Sequence, residues 1–224
     1  MTRVCLFDVN ETLLDIGAMD EPFAALFGVE GVRQEWFAQL LTNAFVATIT
    51  ERYQPFGEIA EGALMMVEAR HGRDLREADR KALLGEMARL PPHPEVVRAL
   101  EQLSDKGLRL AALTNSTADV AHKQLSHAGL TKYFEQILSV DVVQRLKPAM
   151  EPYRYAAKSL GVAVGELRMI AAHAWDIAGA SAAGCTTAFV ARPGMVLDPQ
   201  VATPEIVGEN LQSVADQILA LPRG

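Results

Sequence analysis

Four polar clusters in this chain each follow directly on an apolar run, and together they hold the groups of a nucleophilic displacement site. Asp8 comes first, after Val4-Cys5-Leu6-Phe7, with Val9, Asn10 and Thr12 behind it. Thr114, Asn115 and Ser116 follow LRLAAL. Lys147, directly before Pro148, follows ILSVDVVQRL. His173, Trp175 and Asp176 follow LRMIAA. A carboxylate such as Asp8 can act as a covalent nucleophile, splitting one hard displacement into ester formation and ester hydrolysis. A lysine beside it keeps it ionised, because a nearby opposite charge favours the charged form. Backbone N–H groups after Asp8, the Thr12 hydroxyl and Asn115 can hold its second oxygen in an attacking orientation. Asp176 can position Lys147 and help activate the water that cleaves the ester. Singly, each residue has an ordinary reading. Asp8, Asp176 and the Thr114–Ser116 run suit helix caps or turns, Lys147 a solvated loop, and His173 a satisfied, partly buried histidine. One group at each of four strand ends favours the functional reading.

The elements that must position these groups follow from the hydrophobic pattern. A first strand spans Arg3 to Val9. From Glu21 to about Leu90 the pattern is helical, most clearly in VRQEWFAQLLTNAFVATI, where Trp36, Leu40, Asn43 and Ala44 share one helical spacing. EIAEGALMMVEARHG is a further helix with a glycine stop, and LPPHPE breaks the helical run. Strands (LRLAALT, FEQILSV, LRMIAAHA, TTAFVAR) then alternate with helices (ADVAHKQLSHAG, EPYRYAAKSLG, DIAGASAAG) before PEIVGENLQSVADQILAL closes with a short strand and a helix. Such alternation predicts an α/β fold with a mainly parallel, six-stranded sheet covered on both faces. One strand, a long helical insertion and then the rest of the sheet predicts a core of residues 1–14 and 95–224 with an all-helical cap at 15–94. Ligands of open α/β sheets sit at the carboxyl ends of the strands, where the four clusters fall.

Bulk properties narrow the partners. The 224 residues are half hydrophobic, with net charge −7 and pI near 5.3. Without a clustered basic face, a nucleic-acid partner is not expected. Cys5 and Cys185 both lie in apolar segments and read as buried thiols of a reducing compartment. No apolar run is long enough for a bilayer, and Arg gives way to Asp too early for a signal peptide, so a cytoplasmic location is expected.

Asp-x-Asn-x-Thr after the first strand, Thr-Asn-Ser after the second, a Lys-Pro, and Trp-Asp before a Gly/Ala-rich helix resemble the haloacid dehalogenase superfamily. ALTNS, HAGL, LSVD, LKP with Tyr153 six residues after Lys147, and AWDIAGA resemble in particular its type II L-2-haloacid dehalogenases. The resemblance implies a Rossmann-like core, a helical cap, Asp8 as nucleophile and a small halogenated carboxylate as substrate. It implies neither cofactor nor metal, and it suggests a homodimer in which cap aromatics (Phe23, Phe27, Trp36, Phe45, Phe56) bury surplus apolar surface.

Asn10 bears on the reaction class. Phosphatases of this superfamily place a general-acid aspartate there, and an amide cannot supply that proton. Their acidic Mg²⁺ ligand, four residues before the last aspartate, corresponds to Ala172, which has no oxygen ligand to offer. Departures from the dehalogenases are as definite. With Trp36 aligned to the family's cap tryptophan, Phe37 occupies the place of the arginine that binds substrate and halide. Arg33 and Arg52 are the nearest substitutes. Ala171 and His173 replace a serine and an asparagine, removing a partner of Lys147 and adding a group that titrates near neutrality. His173 either assists hydrolysis or fills the asparagine site. Two other readings stay open: a phosphatase with an atypical site, and a non-catalytic binding protein of this fold.

Overall fold

A computed structural model describes residues 4–200 and 203–222, so Arg3, expected to begin the first strand, lies outside the described residues. In chain order the elements are β1 (Val4–Phe7), α1 (Asp20–Phe27), α2 (Val32–Ile49), α3 (Phe56–Arg70), α4 (Glu77–Gly85), α5 (Val96–Asp105), β2 (Arg109–Thr114), α6 (Ala118–His127), β3 (Gln136–Ser139), α7 (Met150–Leu160), β4 (Leu167–Ala171), α8 (Ala174–Ala183), β5 (Thr186–Val190), β6 (Ile206–Gly208) and α9 (Leu211–Ala220). The sheet order is β3-β2-β1-β4-β5-β6, and every pairing is parallel. β1 and β4 are buried along their whole length, and β2 from Leu110 onward. That is why these segments read as continuous apolar runs rather than alternating ones.

The chain steps outward from β1 to β2 to β3 and then returns to place β4 beside β1. The reversal opens a crevice at the carboxyl ends of β1 and β4, the usual ligand position in such sheets. Among the described residues between β1 and α5, helices are the only regular elements, apart from isolated bridges joining Leu14 to Asn10 and to Pro92. Short clasps tie this segment back: Asp15 N donates to Pro91 O at 2.8 Å, and His93 N to Leu13 O at 3.0 Å.

Several details depart from the sequence reading. VVRALEQLSD, passed over there, is α5, which packs against α9. β4 stops at Ala171, leaving Ala172 and His173 to turn into α8. Of the cap aromatics expected to be in surplus, Phe23, Phe27, Trp36 and Phe56 are buried. The exposed apolar side chains on α2 and α3 are instead Val46, Ile49, Met65 and Met66. Both thiols are free and buried, and desolvation pushes each up to about 12, which leaves them unreactive.

Candidate active site

β1 delivers Asp8 one residue past its end, held by its N–H on Ile170 O of β4 at 3.0 Å. The loop then folds on itself, with Leu13 N and Leu14 N both donating to Val9 O at 2.9 and 3.0 Å. This turn brings the Thr12 hydroxyl back onto Asp8 Oδ2 at 2.7 Å. The same hydroxyl oxygen accepts from Ala172 N at 3.0 Å, so Thr12 joins the β1 and β4 loops.

Lys147 comes from the loop before α7, where the Lys147–Pro148 peptide is cis. Asn115 sets that loop: its Oδ1 accepts from Lys147 N at 2.8 Å, and its Nδ2 donates to Lys147 O at 3.4 Å. α8 approaches from the other side. At Gly179 a Cβ would run into the carbonyl of Pro148, so glycine is what allows this contact. The ammonium then donates to Asp8 Oδ1 at 2.8 Å, Asp176 Oδ2 at 2.6 Å and Leu113 O at 3.1 Å, fully buried. The lost serine at 171 therefore leaves no gap, since a backbone carbonyl takes the third proton. Burial is the largest single influence and opposes charging Asp8, but Lys147 and His173 together outweigh it and hold Asp8 well below the usual carboxylate range. Lys147 is itself raised, with burial opposing and both carboxylates favouring its charge. Burial, with Asp8 nearby, raises Asp176 against the pull of Lys147.

Two sequence expectations need correction here. Asn115 is spent on the Lys147 backbone rather than on Asp8, and the side chain that holds the Asp8 second oxygen is Thr12. Among the described residues no backbone N–H donates to the Asp8 carboxylate. Asp176 accepts from Lys147 on one oxygen and from the Tyr153 hydroxyl, at 2.5 Å, on the other. Fully buried, with each oxygen already accepting a hydrogen bond and neither lining the cavity over Asp8, it orients Lys147 rather than meeting water there.

A small cavity of about 10 Å³ lies over Asp8, lined by Asn10, Phe37, Leu41, Phe56, Thr114, Asn115, Lys147, His173 and Trp175. That is room for one water. Outside it is a vestibule of about 630 Å³ bounded by Glu11, Arg33, Phe37, His173, Trp175 and the Pro193–Val196 loop. His173 stacks between Phe37 (6.0 Å) and Trp175 (5.0 Å) and separates the two spaces. Trp36 does not reach the cavity. Its indole N–H is satisfied by Ala60 O at 3.0 Å and its ring packs on Phe23, which makes it helical core. Val9 and Tyr153 are likewise buried behind the site. Arg52 is exposed beyond α2, and Arg33 faces the vestibule.

One functional group escaped the sequence reading. Glu11 is buried at φ +62°, a left-handed conformation that glutamate seldom adopts. Its Oε2 meets His173 Nε2 at 2.6 Å. Nδ1 of the same ring lies 3.5 Å from Asp8 Oδ2, near enough for charge attraction but with no closed hydrogen bond. Burial opposes protonation of His173, yet Asp8 and Glu11 raise it to about 9. The Trp175 indole nitrogen is also buried without a hydrogen-bond partner. The only available signal was an acidic residue between Asn10 and Thr12. Gln124, also unforeseen, donates to Asn10 Oδ1 at 3.0 Å and fixes that amide.

Among the described residues no group of three or more His, Cys, Asp and Glu side chains is arranged to hold a metal ion, and no helix is long and apolar enough to cross a membrane. Comparison with known proteins gives the relatives of this chain. The model of the haloacid dehalogenase-like hydrolases matches residues 2–184. The (S)-2-haloacid dehalogenase of Pseudomonas sp. (strain YL) is 32% identical over 214 residues, covering 94% of this chain and 91% of that protein. Haloacetate dehalogenase H-2 of Moraxella sp. (strain B) is 27% identical over 89% of this chain and 90% of its own. Among solved structures, the L-2-haloacid dehalogenase RSc1362 superposes with TM-score 0.93 at 27% identity, covering 98% of this chain and 99% of that one. The Xanthobacter autotrophicus L-2-haloacid dehalogenase shares the fold, with TM-score 0.93 at 23% identity over 99% of this chain and all of that one.

Proposed function

The chain belongs to the haloacid dehalogenase-like hydrolase family, and we propose that it is a metal-independent (S)-2-haloacid dehalogenase acting through an Asp8 ester. The carrying observation is Asp8 itself, ionised, with one oxygen on Lys147 and the other on Thr12. No second acid stands at Asn10. The carboxylate attacks C2 of a 2-haloacid, forming the C–O bond as the halide leaves with the electron pair. Lys147 and Thr12 fix the attacking group, while Phe37, Leu41, Phe56 and Trp175 exclude water. The substrate carboxylate meets the His173 imidazolium and the unpartnered Trp175 N–H, because Phe37 provides no cation.

Alkylation removes the Asp8 charge that raised His173, so its pKa drops and Nδ1 becomes a base. Glu11 holds Nε2–H, and Nδ1 takes a proton from a water attacking Asp8 Cγ. The tetrahedral adduct collapses, the C2 alkoxide receives the proton from Nδ1, and the Asp8 carboxylic acid gives its remaining proton to Nδ1, which restores both the carboxylate and the imidazolium. Displacement inverts C2 and ester cleavage leaves it untouched, so an (S)-haloacid yields an (R)-2-hydroxy acid. Neither step needs a Lewis acid: the Lys147 ammonium supplies the positive charge, and Ala172 stands where phosphatase relatives carry a metal ligand.

Residues 15–94 act as the cap and 1–14 with 95–224 as the core. A cytoplasmic location fits the two free thiols. Self-association through Val46, Ile49, Met65 and Met66 fits their exposure, and light scattering at micromolar concentration tests it. The net charge of −7 disfavours a nucleic-acid partner. Halide release from chloro-, bromo- and fluoroacetate and both 2-chloropropionates in EDTA tests the activity. Failure with all of them, or Asp8→Asn turnover within a few-fold of wild type, would refute it. Mg²⁺-dependent p-nitrophenyl phosphate hydrolysis would instead favour the phosphatase reading.

A further inference from the structure

Glu11 has a second neighbour that ester hydrolysis leaves unused. Arg33, in the first turn of α2, places Nη1 3.7 Å from Glu11 Oε1, with the two side chains 11% and 9% exposed. Its Nε and Nη2 hold the Asp20 oxygens at 2.8 and 3.3 Å. The Arg33 guanidinium is thus already engaged by two carboxylates. Arg33 also borders the vestibule and not the cavity over Asp8, with Phe37 and His173 between. From there it reaches the reacting atoms only through Glu11.

The need for such a hold is visible at Glu11. Its backbone is fixed, with N–H on Leu14 O at 2.8 Å and the carbonyl met by His93 Nε2 at 3.2 Å. Its side chain is not fixed by the loop. The carboxyl plane turns about a broad terminal torsion, and it borders the 630 Å³ vestibule, where water competes for Oε2. Asp8, Lys147 and Glu11 are the charged groups around His173, and Arg33 is the cation facing Glu11 from α2.

We propose that Arg33 is a positioning residue: it clamps Glu11 from α2, so that the Glu11–His173 pair is set for ester hydrolysis only when α2 is seated over the nucleophile loop. The proposal rests on the two-step dehalogenase reading and concerns the second step alone. It separates Arg33 from the role of a substrate-binding arginine.

The test uses Arg33→Met, which keeps the aliphatic stem and drops the guanidinium, beside Arg33→Lys, Glu11→Gln and the double variant. Halide release from (S)-2-bromopropionate is followed by rapid quench, and the ester by intact mass. If only hydrolysis slows, kcat and KM fall together by about tenfold, well inside the 10²–10⁴-fold that a positioned base supplies. kcat/KM then stays within about twofold, and one equivalent of halide appears in a burst with the Asp8 adduct accumulating. Arg33→Lys regains part of the loss. The double variant is no worse than Glu11→Gln, since both act on one pair. A fall in kcat/KM would make Arg33 a substrate ligand, and a reduced burst with unchanged KM would make it merely structural; either overturns the proposal. Arg33→Gln serves if Arg33→Met does not fold. Adduct in Glu11→Gln but not in the Arg33 variants refutes the clamp alone. Absence of adduct in Glu11→Gln removes the hydrolytic role of the pair, and the clamp with it.

Discussion

Replacing Lys147 by methionine keeps the length of the side chain and removes the one cation shared by Asp8 and Asp176. In the native site its three protons are all placed and the group is fully buried, as is Asp176, with Asp8 nearly so. Taking away one partner of a buried ion pair costs about 3–5 kcal/mol, because the other is left charged and unsolvated. Here two carboxylates are left, so one of them takes a proton instead. That limits the loss at low pH. Against a total stability of about 5–15 kcal/mol, the loss at pH 7 is large but leaves a folded protein.

The pH dependence carries the stronger test. In the native protein Asp8 is depressed, so the stability it contributes is present above its ordinary pKa of 3.8 and lost as pH falls below that. In Lys147→Met a buried carboxylate without its cation has a raised folded pKa. Its favourable contribution is then present below the ordinary value and lost as pH rises through the folded one. Urea unfolding from pH 5 to 8 should show the deficit of the variant relative to the native protein growing as pH rises, beyond the decline that His173 gives to both. Asp176→Asn added to Lys147→Met should recover much of the deficit at pH 8. A variant less than about 1 kcal/mol destabilised at pH 7, or one whose deficit does not vary with pH, would refute the shared-cation account.

Other outcomes come from the same geometry. Phe37→Arg, which restores the family's usual cation, should give no gain with 2-chloropropionate, because a guanidinium beside the His173 ring repels the imidazolium; a severalfold rise in kcat/KM would show the pocket lacks a working cation. The profile of kcat/KM should fall above pH about 9, as His173 loses its proton in the free enzyme, while kcat rises from the acid side with a lower apparent pKa, since the ester has no Asp8 charge. The same raised pKa makes the folding contribution of His173 full below its ordinary 6.5 and lost as pH rises through about 9, which native-state urea titrations of His173→Asn against wild type would read. Activity should survive EDTA dialysis unchanged, checked by halide release before and after Mg²⁺ is restored.

The strands were legible because a parallel sheet buried on both faces leaves an unbroken apolar run, and each run stops where its last residue meets the crevice. Asp8 and Thr114 stand at those stops, and Lys147 and Asp176 follow in the segments that leave β3 and β4, so their neighbourhood can be inferred from chain order. α5 was less visible: VVRALEQLSD begins directly after the proline-rich break, and the strong stop signal of the prolines masks the helix start beside it.

The direction of side chains in the loops could not be read. Asn115 and Asp8 stand at adjacent strand ends, yet the amide turns to the Lys147 backbone, in the loop against which α8 packs at Pro148. Trp36 has the same helical spacing whether it faces substrate or Phe23, and the carbonyl of Ala60 decides it. Glu11 is the sharpest case. Only its positive φ turns the carboxylate toward His173, and nothing in a glutamate flanked by Asn10 and Thr12 announces a left-handed residue. Sequence alone therefore assigns the missing cation to an arginine of the helical segment, where the family places it. The geometry instead makes His173 cationic from within the core, between Glu11 and Asp8, and leaves the arginine on α2 to hold Glu11. An arginine keeps its charge in both half-reactions, whereas a histidine loses its charge when Asp8 is esterified and regains it when Asp8 is freed. Charge and base are needed at different times, and one imidazole facing the nucleophile can supply both.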